Sequence, residues 1–194
     1  MKRSAFDRLV SWTGLALAAM LLVAGVLLTV ASSFVNGQVA GQLAAQKVIM
    51  PTAAAYGTLS ATDQAALAPY AGQPMTTGAQ AEAFADHYIQ AHLNAMAGGK
   101  TYGDVSAEYL QLSKDTTADP ATVKQLGDLR QTMFMGDTLR SMLLTAYAFG
   151  TMATIAMIAA VAAFVGAVVL AVLGFLGLRH AKGAGGDVLV DKAE

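Results

Sequence analysis

SMLLTAYAFGTMATIAMIAAVAAFVGAVVLAVLGFLGL, residues 141–178, carries no charged side chain. A helix needs about 20 apolar residues to cross hydrocarbon. This run has 38, and a soluble domain of this size has no core deep enough to hide it. It reads as a membrane span. A second neutral run of 38 residues lies between Arg8 and Lys47. Its apolar part, residues 9–34, follows a basic head containing Lys2, Arg3 and Arg8. A secretory signal would share the basic start, and Ala31-Ser32-Ser33 resembles a weak cleavage site. Such signals, however, have apolar stretches of roughly 7–15 residues. Residues 9–34 are therefore expected to be a retained anchor.

The composition agrees. Charged residues make up 13% of the chain and mean hydropathy is +0.49, whereas soluble domains carry roughly a quarter charged residues. Net charge is −1, so there is no basic surface for nucleic acid. The absence of cysteine removes disulfides, thiol nucleophiles and cysteine metal sites. The expected fold is an all-α membrane protein: a two-transmembrane helical hairpin with a small helical extracytoplasmic domain.

Lys and Arg near span ends set orientation. Lys2, Arg3 and Arg8 precede the first span, and Arg179 and Lys182 follow the second. Both termini are then cytoplasmic: residues 1–8 as the N-terminus and 179–194 as a Gly-rich, flexible tail. Arg8, Trp12, Tyr147, Phe149 and Arg179 are the expected interface anchors. As helices, the two neutral runs would each reach roughly 57 Å at 1.5 Å per residue, against about 30 Å of hydrocarbon. The first helix is expected to extend to about residue 48, where Pro51 stops it. Residues 141–178 form a long helix containing the second span at about 152–178. Both would continue outward as a paired stalk.

Residues 35–140 should form the outer domain from short helices. Ser60 with Asp63 marks one start, and Thr77 with Gln80 a capping box for a helix ended by Gly98-Gly99. Thr101 with Asp104 opens another over residues 102–112. Asp119-Pro120 opens the next, expected to run to about Met135 and to break or bend at Gly136-Asp137. Tyr70 to Met75 reads as a loop. Phe84, Tyr88, His92 and Met96, spaced four apart, should line the outer core or a ligand groove.

Chemistry-bearing patterns are sparse. His87 and His92, five apart on a helix, point about 140° away from each other, and chelation from one helix prefers spacings of three or four. Met133, Met135 and Met142 are read as packing residues rather than a copper site. No phosphate-loop, dinucleotide or metalloprotease signature occurs. No ionisable group lies between residues 9 and 34 or 150 and 178, so a proton or ion relay has no residues to use. No cofactor, metal or catalytic residue is assigned, and an enzyme is not expected. The spans do carry small residues at intervals of four: Gly25, Thr29, Ser33, Gly37 and Gly41, then Ala159, Ala163, Ala167 and Ala171. Such stripes let helix backbones approach closely in a bilayer.

The segments LAAQKVIMP, PYAGQPMTTGAQAEAFADHYIQAHL and TLRSMLLTAYAFGTMATIA, in this order after a first span, resemble a family of small actinobacterial two-span membrane proteins. The resemblance covers most of the chain and is most specific over Pro69 to Leu93 and Thr138 to Phe149. Members are sometimes labelled aromatic ring-opening dioxygenases. Non-haem iron chemistry of that kind needs two histidines and a carboxylate around one open site. Only His87, His92 and Asp86 are on offer, on one helix at the wrong spacing, so the label does not carry over. The expected role is that of a non-enzymatic accessory or structural subunit of a larger membrane assembly, respiratory or cell-envelope, or of a homo-oligomer. The expected partners are the bilayer and other subunits or copies of itself, with no evident small-molecule substrate. A ligand-binding or sensor module anchored by two spans is the alternative, and an oligomeric channel the third.

Overall fold

The computed structural model describes residues 3–183; most of the expected tail, residues 184–194, lies outside them. The described chain is helical, in seven α-helices: α1 (Arg3–Ala45), α2 (Ala53–Tyr56), α3 (Ala61–Leu67), α4 (Gly78–Ala83), α5 (Gln90–Ala97), α6 (Tyr102–Leu112) and α7 (Pro120–Gly183). A 3-10 turn (Ala68–Tyr70) follows α3, and a π-helix (Phe84–Ile89) joins α4 to α5. Among the described residues the only β feature is an isolated bridge between Ile49 and Pro74. Two helices, α1 and α7, are long and apolar enough to cross a membrane, with stretches of mean hydropathy 2.5 and 2.8. Only 11% and 17% of those stretches are buried within the protein, unlike the core helix of a soluble domain.

The chain divides into two compact units, residues 3–34 with 152–183 and residues 35–151. In the first unit α1 and α7 pack antiparallel. A Cβ on Gly25 would meet Phe164, one on Gly166 would meet Leu21, and one on Gly174 would meet Leu15. The residues that disappear from the surface recur every seven: Ser11, Ala18, Gly25 and Ser32 on α1, and Ala153, Ala160, Ala167, Gly174 and Ala181 on α7. A seven-residue repeat gives 3.5 residues per turn, the period of a left-handed supercoiled pair. All nine are Ala, Gly or Ser, so the backbones approach closely and dispersion holds the pair.

The second unit is built from the caps outward. The Thr77 hydroxyl accepts from Gln80 N–H while the Gln80 side chain takes the Thr77 N–H, and Thr101 and Asp104 repeat the arrangement. Gly98 ends α5 at φ +61°, a left-handed conformation that glycine adopts without strain. Residues 48–50 and 72–75 run side by side, with Met50 N–H donating to Gln73 O at 2.8 Å and Met75 N–H to Val48 O at 2.9 Å. This pairing buries Met50 and Met75 almost completely, so part of the expected loop at 70–75 is a core element. Met50 and Met75 join Tyr56, Leu67, Ala81 and Leu143 in the main core; Leu93, Ala97, Val105 and Met133 form a second.

Three boundaries depart from the sequence reading. α1 ends at Ala45 rather than about residue 48, because Lys47 turns to φ +53° to enter the pairing with residues 72–75. α7 continues through Gly136-Asp137 as one helix of 64 residues. Gly136 is a packing site there: a Cβ would sit 2.7 Å from Leu93 Cδ2. Asp137 lies 3.7 Å from Arg140 one turn on, which favours the helix. The helix expected over 78–97 is interrupted by the π-helix, whose wider i→i+5 bonding no local propensity announces.

Candidate functional site

In the first unit the helix contact follows the seven-residue line, not the four-residue stripe. An interval of four overshoots a helical turn by about 40°, so a stripe at that spacing drifts off any straight contact. Gly25 and Ala167 lie on both lines and are buried; Thr29, Ala163 and Ala171 are partly covered. Ser33 and Ala159 are exposed, as are Gly37 and Gly41 of the second unit, where a Cβ would meet nothing within 4 Å. Thr29 bonds its own helix, donating to Gly25 O at 2.8 Å. Ser32, adjacent to the expected Ser33, donates to Ala153 O on α7 at 2.7 Å. The sequence signal for this contact is the repeat 11-18-25-32, which a composition rich in Ala and Gly obscures.

In the second unit the π-helix is clasped by Arg140. Its Nε–H donates to Ala85 O at 3.0 Å, and its Nη2 to Asp86 Oδ1 at 2.7 Å. That carbonyl also accepts the π-helical N–H of Gln90, and the guanidinium fork takes carbonyl and carboxylate together. On the neighbouring face Asp63 accepts the Ser60 hydroxyl at 2.6 Å and meets His87 Nδ1 at 2.9 Å. The Ser60 hydroxyl first, and His87 second, hold the Asp63 carboxyl below its ordinary value of 3.8. Asp86 and His87 thus spend their side chains on separate structural contacts. Among the described residues no group of three or more His, Asp or Glu is placed to hold a metal.

The expected row lies partly open. Phe84 and Tyr88 stack at 5.1 Å and Tyr88 meets His92 at 4.4 Å. Phe84 and Tyr88 pack on the rim of the main core, while His92 and Met96 are exposed. His92 Nδ1–H donates to Tyr88 O at 2.7 Å. Of the expected anchors, Arg8, Trp12 and Arg179 are exposed at the ends of the first unit's helices. Tyr147 lies where α4 begins, its Cα 3.0 Å from where a Cβ on Gly78 would stand.

An uncovered apolar line runs along α7 in the second unit. Met135, Met142 and Phe149, seven apart, are 54%, 65% and 50% exposed, with Leu139 beside them. Open grooves of about 720 and 620 Å³ flank α6 and the start of α7. Neither family models, curated proteins nor solved structures give a match to this chain.

Proposed function

We propose that this chain is a non-enzymatic membrane subunit that docks onto other membrane proteins or onto copies of itself. α1 and α7 cross the bilayer as a hairpin, with both ends cytoplasmic and residues 35–151 outside, as the Lys and Arg at the span ends favour. Membership of the actinobacterial two-span family belongs to the same proposal.

One observation carries the docking role. The antiparallel pair uses a single line of small residues on each helix, and α7 carries another, wholly apolar line at Met135, Met142 and Phe149 in the second unit. Lipid can cover apolar side chains at bilayer depth, but in water a contiguous apolar face marks an interaction surface. Seven-residue spacing suits a partner helix lying along it.

Purification at native expression level in mild detergent, followed by native mass spectrometry, tests this reading. The expected result is a complex with other membrane subunits or a defined oligomer, lost in Met142→Glu while helicity is kept. A lone monomer under every condition would defeat it. The second reading, ligand capture by the outer unit, is supported by the grooves along α6 and α7 rather than by the Phe84–Tyr88 row.

A further inference from the structure

Arg130 stands on α7 against α6. Its guanidinium carbon lies 5.3 Å from the Tyr109 ring centroid and 6.0 Å from that of Tyr102. Its Nε–H donates to Ser106 Oγ at 3.0 Å. Gly127 lets the Tyr109 ring in, since a Cβ there would come within 3.0 Å of Tyr109 Cε2. The charges around it are engaged elsewhere: Lys100 with Glu108 and Lys124 with Asp128, both at 2.6 Å. Among the described residues no carboxylate pairs with Arg130, and neither Nη donates a hydrogen bond. The open groove of about 620 Å³ beside it is lined by Tyr109, Pro120, Val123, Lys124, Asp128 and Arg130.

We propose that this groove binds a monocarboxylate, its carboxylate on the Arg130 Nη pair and its apolar body on Tyr109, Pro120 and Val123. A guanidinium already ordered by two rings and a hydroxyl gives up little freedom on binding, and its planar fork matches a carboxylate's two oxygens. The charge count selects a monoanion. Lys124 and Asp128 neutralise each other at 2.6 Å, so among the described residues Arg130 is the one unpaired charge lining the groove, matched by a single carboxylate. A free organic acid and the C-terminus of a polypeptide present this same group.

The test is isothermal titration of the full-length protein in lipid nanodiscs. The probes are 4-phenylbutyrate and its amide, inorganic phosphate, and acetyl-Ala-Ala-Phe with a free or an amidated C-terminus. The expected result is half-saturation by at least one carboxylate at about 1 mM or below. Its amide and phosphate should bind at least about tenfold more weakly. Arg130→Gln should lose about tenfold or more in affinity, and Arg130→Lys should fall between, because it keeps the charge without the fork. Tighter binding of phenylbutyrate points to a small acid, and tighter binding of the peptide to a partner's C-terminus. The proposal is overturned if an amide or phosphate binds as well as the acids, or if neither acid binds by about 10 mM. It also falls if folded Arg130→Gln binds like the parent chain. The acid-against-amide comparison uses the unaltered chain, so a misfolded variant cannot mask the outcome.

Discussion

Asp63 ties α3 to the π-helix through a single carboxylate shared between Ser60 and His87. Because its pKa in the folded chain lies below the ordinary 3.8, its contribution is fully present above that value. It is lost as pH falls through the lowered one. Asp104, Asp115 and Asp119 are lowered in the same sense, first by the hydroxyls of Thr101, Thr117 and Thr122. Denaturant unfolding followed by near-ultraviolet circular dichroism should therefore show stability falling below about pH 4. In Asp63→Asn the fall should be shallower from a lower starting point, about 1 kcal/mol down at pH 7; an unchanged slope would remove Asp63 from the account. Arg140→Met leaves Ala85 O with only its π-helical donor, Gln90 N–H, and takes the guanidinium from Asp86, at a cost of about 2 kcal/mol. The side chains are 22% and 37% exposed, so water replaces part of what is lost. Hydrogen exchange should rise over residues 84–97 and stay unchanged over 102–112.

At the scale of elements, the contact between the two apolar helices is decided by side-chain size at one position in seven. Leucine at Ala160 or Gly174 must push the backbones apart, and overpacking of this kind costs about 1–3 kcal/mol. Leucine at Ser33 or Ala159, both exposed, should cost nothing measurable. The chain has no cysteine, so a Ser32→Cys, Ala153→Cys pair reports the contact on a clean background. Oxidation should close an intramolecular crosslink in the parent background and in Ser33→Leu, and much less of it in Ala160→Leu. Equal crosslinking in both leucine variants would sink the seven-residue contact. Ser32→Ala removes the hydrogen bond to Ala153 O and should cost about 0.6 kcal/mol, a typical value for polar contacts between membrane helices.

At the scale of the whole molecule, the proposed topology makes a prediction that no other feature shares. In intact cells a single cysteine replacing Lys114 should react with a membrane-impermeant maleimide. One replacing Lys182 should react only after permeabilisation. The reverse pattern would put residues 35–151 in the cytoplasm and end the proposal of an outer docking face. Both positions are exposed, so burial cannot imitate protection by the membrane.

What the sequence alone settled follows from sums along the chain. Long uncharged runs fix two helices able to span hydrocarbon, because every backbone polar group there must be paired within its own segment. Capping boxes at Thr77 and Thr101 and the start at Asp119-Pro120 are local chemistry, legible within four residues, and the structure has all three. The rest depended on partners distant in sequence. The helix contact turned on which of many small residues face a second helix, and composition rich in Ala and Gly hides the period. Gly136 looked like a break until Leu93 occupied the space it leaves. The π-helix exists where Arg140, more than fifty residues away, takes a carbonyl and a carboxylate at once. Arg130 became a candidate anion site only when two α6 rings closed on it. Tertiary structure decided these points because each is a competition for one group's contacts, and the winner comes from elsewhere in the chain.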